Sequence, residues 1–328
     1  MKLHEDKKLF RQAIEITAQH KKIPTIYVEK DYWVTYALKI IFGSDCAAFS
    51  VFKGGTALSK CYKIIERFSE DIDLVVLRED GESGNSLTRK IKSITSTVDK
   101  VLQEVNKEGL TSKSGRLRKT AHEYPKIFKG NYGQVRDFIV VEASMLGNFE
   151  PYDEMTISSF VYDMMIAQNQ QETAEKNELL PFTINVLDIK RTICEKIMSL
   201  VRFSYEESPI ESLRNKIRHT YDIHSLLKLP EMQEFFESEA FNKMLLKVGN
   251  DDVDSFRNNN AWLINHPTEA LIFNKTKETW AELEDTYNNS FANLVYGELP
   301  ESALVAADIE RVAVRMKDVE WKINFDRK

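Results

Sequence analysis

What the chain lacks narrows it first. Among 328 residues there are only three cysteines, Cys46, Cys61 and Cys194. They form no Cys-x-x-Cys pair and cannot make a disulfide framework, which fits a reducing cytosol. No run reaches the roughly 18 apolar residues of a membrane span. The start, "MKLHEDKKLFRQ", has no apolar leader core. A soluble cytoplasmic protein without a membrane partner is therefore expected. Positive charge is also short: 45 Lys and Arg face 51 Asp and Glu, a formal net charge of −6. That balance excludes a wholesale nucleic-acid coat, which needs a basic surface, yet permits a local basic patch. The histidines show no metal spacing, since His219 and His224 stand five apart and so miss a common helical face. Internal repeats and low-complexity tracts are absent too.

What is present reads as a globular chain able to bury a core, with 42 % hydrophobic and 29 % charged residues. Its length suits one large or two moderate domains. Residues 5–20 carry Leu9, Phe10, Ala13, Ile14 and Ile16 at helical spacing, and Pro24 interrupts them. "TIYVEKDYWVTYALKIIF" repeats the helical pattern up to Gly43. "AAFSVF" predicts a short strand ending at Lys53, followed by Gly54, Gly55 and a helix from Ala57 to about Arg67 capped by Thr56. "IDLVVL" is apolar on both parities, as in a strand covered on both faces. A long helix from Ser86 to Glu108 is expected next, then strands and hairpins in "SKSGRLRKTAHEYPKIFKG" and "DFIVVEASML". Beyond about residue 185 the pattern is helical. The expectation is an α+β fold: a mixed sheet with flanking helices over residues 1–185, and a mainly helical domain over 186–328.

The stretch "FKGGTALSKCYKIIERFSEDIDLVV", residues 52–76, holds the candidate chemistry. On a strand alternate side chains share a face, so Asp71 and Asp73 point the same way. Two neighbouring carboxylates repel unless a cation lies between them. A hard divalent ion with oxygen ligands and room for phosphates answers that need; a solvated strand edge is the plainer alternative. Gly54 and Gly55 would let a ligand approach the backbone where a helix begins, a phosphate cradle, although Gly-Gly alone also marks a simple turn. Glu142, inside the apolar run "DFIVVEASML", is costly there unless it is paired or binds metal. It either joins the two aspartates or forms an ion pair at a sheet edge, for instance with Arg136.

Gly-Gly, a short helix, Asp-x-Asp on a strand and an acidic residue on a further strand resemble the polymerase-β-like nucleotidyltransferase superfamily. "VEKDYWVTYAL", "FKGGTALSKCY" and "RFSEDIDLVV", with "CEKIMSL" and "RHTYDIHSLL" further on, resemble the nucleotidyltransferase AbiEii/AbiGii toxin family. The resemblance spans about residues 10–230. It implies a nucleotidyltransferase fold and the toxin of a bacterial toxin–antitoxin or abortive-infection system with a cognate antitoxin. It also implies an NTP substrate, Mg2+ or Mn2+, and an RNA or protein acceptor, the related MenT toxins modifying the tRNA 3′ end. By motif, Gly54, Gly55 and Lys60 would hold the NTP phosphates, and Asp71 and Asp73 the metal. Glu142 would stand at the third acidic position. Lys196 would reach the triphosphate from the C-terminal domain, and Asp222 matches the acidic residue of the last motif.

Each residue also has a plainer reading. Lys60 could be solvated, Lys196 could pair with Glu195 on a helix surface, and Asp222 could pair with Arg218 one turn back. Thr56 and Ser69 join the phosphate side, Ser69 either bonding a phosphate or capping the entrance to the strand. Glu29, Lys30, Asp31, Tyr32 and Trp33 carry the resemblance without an evident chemical role. Between Lys113 and Arg136 lie seven cations, Lys113, Arg116, Arg118, Lys119, Lys126, Lys129 and Arg136, interleaved with Tyr124, Phe128 and Tyr132. This patch could receive an RNA backbone, with the aromatics for stacking. A solvated hairpin or an antitoxin contact are its alternatives. A non-catalytic NTP-binding sensor or partner-binding protein on the same fold is the second functional class. Protein-kinase chemistry is disfavoured because the kinase motif set is missing.

Overall fold

The computed structural model describes residues 2–130, 135–256 and 259–325. The chain divides into two compact units. The first comprises Met1–Lys63, Phe68–Met145 and Tyr152–Val186; the second comprises Ile64–Arg67, Leu146–Pro151 and Leu187–Lys328.

The first unit opens with helix α1 (Lys7–Lys21), whose N-cap Asp6 accepts from the Lys8 and Leu9 amides. Helix α2 (Thr25–Phe42) follows and ends at Gly43. Strand β1 (Ser50–Lys53) is shorter than the apolar run suggested, because the preceding Asp45–Phe49 forms a 3-10 turn. Helix α3 (Gly54–Lys60) starts directly from β1 and is also shorter than expected. It stops at Cys61, and two residues later Lys63 takes a left-handed φ of 55°, which no helix can continue through. Thr56 is consequently inside the helix and is not its cap.

Strand β2 (Ile72–Val76) follows, then helix α4 (Gly84–Asp99), capped by Ser83. This helix ends well before Glu108, and the chain turns instead into strands β3 (Glu104–Val105), β4 (Ser112–Lys113), β5 (Leu117–His122) and β6 (Ile139–Ser144). Strand β7 (Tyr152–Ile157), helices α5 (Phe160–Ala167) and α6 (Gln171–Lys176), and strand β8 (Phe182–Leu187) complete it. The sheet order is β3-β5-β6-β2-β1-β8-β7, with β4 beside β5. It is mixed: β1 runs antiparallel to β2, while β2 runs parallel to β6. Helix α4 buries Leu87, Ile91, Ile94 and Val98 against β2, β5 and β6. Each such side chain contributes about 1.5–3 kcal/mol. The expected mixed sheet with flanking helices is borne out.

The second unit is built on helices α7 (Ile189–Phe203), α8 (Pro209–Arg214), α9 (Ile217–Leu227), α10 (Pro230–Glu237) and α11 (Glu239–Ser255). Three more follow, α12 (Leu271–Asn274), α13 (Thr276–Asp285) and α14 (Ser302–Met316). Helix α7 presents Ile193, Ile197, Leu200 and Val201 at helical spacing and packs on α9 and α11. Helix α14 packs on α9 through a buried stripe that includes Val305, Ile309 and Val312. No helix among the described residues is long and apolar enough to cross a membrane.

Candidate active site

Strand register brings the acidic residues and the glycine together within the first unit. Because β1 and β2 are antiparallel, the last residue of β1, Lys53, lies opposite Asp73. Helix α3 begins at the next residue, so Gly54 passes directly over Asp73. A Cβ at Gly54 would stand 2.5 Å from the Asp73 Oδ2, and the φ of this residue is +81°. Only glycine meets both conditions without strain. In the parallel pair β2–β6 the partner of Asp73 is Glu142. Asp71 lies one residue before β2, while Ile72 and Leu74 are buried. Thr56 Oγ1 and Ser69 Oγ are 3.0 Å apart, tying α3 to the segment that leads into β2.

The carboxylates differ in their partners. One guanidinium nitrogen of Arg136 donates to both Asp71 oxygens, at 2.8 and 3.1 Å. Lys119 lies 3.0 Å from Glu142, so the partner of Glu142 is Lys119 and not Arg136. Among the described residues no hydrogen bond or ion pair reaches the Asp73 carboxylate. Burial, and then the charges of Glu142 and Asp71, push its pKa up to about 7. As they stand, no three His, Cys, Asp or Glu side chains among the described residues are gathered for a metal ion. Asp71 pairs with Arg136 and Glu142 with Lys119. The donor set still fits a hard divalent cation. It is all oxygen, it surrounds an unneutralised carboxylate, and it adjoins a glycine backbone left bare for a ligand.

Lys60 takes a different place from the phosphate-facing one implied by the resemblance. Its side chain is buried, with Nζ 2.5 Å from Asp31 Oδ1 on α2, and Asp31 also accepts from the Phe160 amide at 2.8 Å. The neighbours of Asp31 act alike. Glu29 accepts from the Ile127 and Phe128 amides at 2.7 and 3.2 Å. Lys30 lies 2.5 Å from the Glu70 carboxylate and donates to the Arg136 carbonyl. Burial pushes Glu70 up and Lys30 down, and each charge partly offsets the shift of the other. Trp33 is buried, as expected. Sequence reasoning missed the roles of Lys30, Glu70 and Arg136. The one visible signal, for Lys30 alone, was three consecutive charges, Glu29, Lys30 and Asp31, within a largely apolar helix.

Lys196 and Asp222 belong to the second unit, where they meet. Asp222 accepts from Lys196 at 2.6 Å and from Arg67 Nε and Nη2 at 2.7 Å each, in full burial. Burial opposes the ionised Asp222, but the Arg67 and Lys196 charges win and hold its pKa far below the usual carboxylate range. Lys196 is pulled down by burial, against the charge of Asp222. The partners of Asp222 are thus Arg67 and Lys196 in place of Arg218.

Several cations of the expected basic patch have acidic partners. Lys113 pairs with Glu104, Lys119 with Glu142, Lys126 with Asp137 and Arg136 with Asp71. Arg118 donates to the Thr95 hydroxyl. Tyr124 is buried, the Arg11 guanidinium covers Phe128 at 4.9 Å, and Tyr132 lies outside the described residues. All three cysteines are buried, and burial pushes the Cys61 thiol up to about 12, which removes it as a nucleophile.

The architecture is similar to that of MenT4, a nucleotidyltransferase toxin from Mycobacterium tuberculosis. The TM-score is 0.56 at 15 % identity, over 94 % of this chain and 90 % of that one. A protein from H. pylori proposed as a nucleotidyltransferase aligns over 88 % of this chain and 95 % of its own, with 14 % identity and a TM-score of 0.41. No curated protein matches the sequence. The fold is thus of the MenT-like nucleotidyltransferase class. Residues 39–323 match the family Nucleotidyl transferase AbiEii toxin, Type IV TA system, and the chain belongs to that family. It is a nucleotidyltransferase of a toxin–antitoxin class, as its motifs implied.

Proposed function

We infer that the protein transfers a nucleotide from an NTP to an RNA acceptor in a divalent-metal-dependent reaction, as the cytoplasmic toxin partnered by a cognate antitoxin. The observation that carries this reading is the strand register that sets Asp73 opposite Glu142 and against Gly54, with the Asp71 carboxylate close enough to act on Asp73. Asp71 and Asp73 would hold Mg2+ or Mn2+, with Glu142 completing the set. Bound there, such an ion would neutralise phosphate charge and acidify the acceptor hydroxyl.

The chain's own residues would do the rest. Gly54 and Gly55 leave the backbone bare where the phosphates come to lie, and the linked Thr56 and Ser69 hydroxyls sit beside them as donors. The acceptor oxygen bonds to the α-phosphorus as the bond from that phosphorus to the bridging oxygen breaks, and pyrophosphate leaves. The hydroxyl proton would pass to Glu142, the carboxylate that stands opposite Asp73 in the sheet. Lys60, tied to Asp31, would shape the phosphate side by holding α3 on α2. Lys196 and Asp222 are assigned to the reaction by motif, with Asp222 orienting the Lys196 ammonium.

The test is to incubate the protein with each α-labelled NTP, Mg2+ and total RNA. Label in tRNA or another RNA, lost in Asp71→Ala, is the expected result. NTP binding without transfer to any RNA would overturn the assignment of the acceptor.

A further inference from the structure

Arg136 is held in an unusual way. Its main-chain N–H donates to Glu70 Oε1 at 2.9 Å, and its carbonyl accepts from Lys30. Glu70 and Lys30 are themselves a buried pair. The backbone of Arg136 is thus clamped at both polar groups, whereas its side chain, 35 % exposed, pairs with Asp71 and lies 3.7 Å from Glu70 Oε1. The backbone is fixed, while the guanidinium is held by ion pairs that an anionic ligand can replace.

The site's charges say what the guanidinium does. Three carboxylates, Asp71, Asp73 and Glu142, face three cations, Arg136, Lys119 and Lys53. With one Arg136 nitrogen on both its oxygens, Asp71 has a cation seated where a metal ion would compete for the same carboxylate. A metal ion arriving at Asp71 would repel the guanidinium, and the triphosphate that comes with it would offer oxygens whose geometry the planar fork matches.

We propose that Arg136 is a resident counter-cation of the nucleotide site, held on Asp71 in the nucleotide-free enzyme and transferred to the triphosphate when nucleotide binds. The Lys30–Glu70 pair is its positioning device. This rests on the assignment of Asp71 and Asp73 as metal ligands and goes beyond it.

The experiment measures Mn2+ binding to the nucleotide-free protein by electron paramagnetic resonance. It then measures the affinity for α,β-methylene NTP analogues, in wild type, Arg136→Gln, Arg136→Lys and Asp73→Asn. Arg136→Gln should bind Mn2+ more tightly, by roughly two- to fivefold, because a competing partly exposed cation is gone. The same variant should bind the nucleotide analogue more weakly, by roughly ten- to a hundredfold, for the loss of charge-assisted hydrogen bonds. Unchanged Mn2+ and analogue affinities in Arg136→Gln, with Mn2+ binding lost in Asp73→Asn, would overturn this inference alone. Mn2+ binding indifferent to Asp73→Asn would overturn the metal-site assignment and the inference with it. If Arg136→Gln does not fold, Arg136→Lys decides. It keeps the charge and loses the fork, so unchanged analogue affinity there also refutes the proposal.

Discussion

Replacing Gly54 by alanine isolates the contact on which the site's geometry turns. Two costs are expected. The backbone sits at φ +81°, where an L side chain is strained. This costs about 1–2 kcal/mol, or roughly 2–8 °C in Tm for a unit of this size. The new Cβ also meets Asp73 Oδ2 at 2.5 Å, a separation that cannot persist, so the carboxylate must rotate away or the strand must retreat. A displacement of about 1 Å at a reacting centre costs on the order of a hundredfold in rate. Gly81→Ala separates the two effects, because Gly81 has a φ of +76° and nothing within 4 Å of its would-be Cβ. Gly54→Ala should lose at least as much stability in thermal melts as Gly81→Ala, and only Gly54→Ala should lose nucleotide transfer, by about a hundredfold or more. Equal transfer rates in the two variants would refute the argument that Gly54 exists to admit the Asp73 carboxylate.

Three further outcomes follow from the charges. Asp73 has a folded pKa near 7, above the unfolded value of about 3.9. Its contribution to stability is full below about pH 4 and lost as pH rises through about 7, so the Tm of the metal-free protein should fall across that window and Asp73→Asn should flatten the fall. Added Mn2+ should then raise Tm more at about pH 8 than at about pH 5.5, since binding must displace the proton; an equal rise at both would count against Asp73 as a ligand. Lys60→Met leaves Asp31 buried without its cation and should cost about 3–5 kcal/mol in urea unfolding, part of it recovered in Lys60→Met with Asp31→Leu. Full stability of Lys60→Met would mean the pair is idle. Asp222 has the opposite sign to Asp73: its pKa is depressed, so its stabilisation is present above about pH 3.9 and lost as pH falls. Asp222→Asn should destabilise by about 3–5 kcal/mol at neutral pH and by less in acid; a pH-independent loss would refute the salt-bridge account.

Much of this arrangement was legible in the chain because it is local. "IDLVV" is apolar enough to declare a covered strand, with Asp73 on it and Asp71 just before it. Gly-Gly beside a strand end was equally readable. What was not readable is long-range. Nothing near Lys60 announces Asp31, 29 positions earlier, and a lysine one turn into a helix after two glycines looks poised for phosphate. The cations between 113 and 136 look like a surface for RNA because their partners, Glu104, Glu142, Asp137 and Asp71, come from other elements. Arg67 shows the same blindness. Its neighbours suggested a helix end, whereas Lys63 breaks the helix and residues 64–67 join the second unit, where Arg67 finds Asp222.

The most direct measurement is a crystal structure with Mn2+ and an α,β-methylene NTP analogue, read by anomalous scattering. The account predicts a manganese peak bound by Asp71 and Asp73, phosphates against Gly54, and the Arg136 guanidinium moved from Asp71 to the triphosphate. A nucleotide bound elsewhere, with Asp71 still on Arg136 and no metal at Asp73, would contradict it.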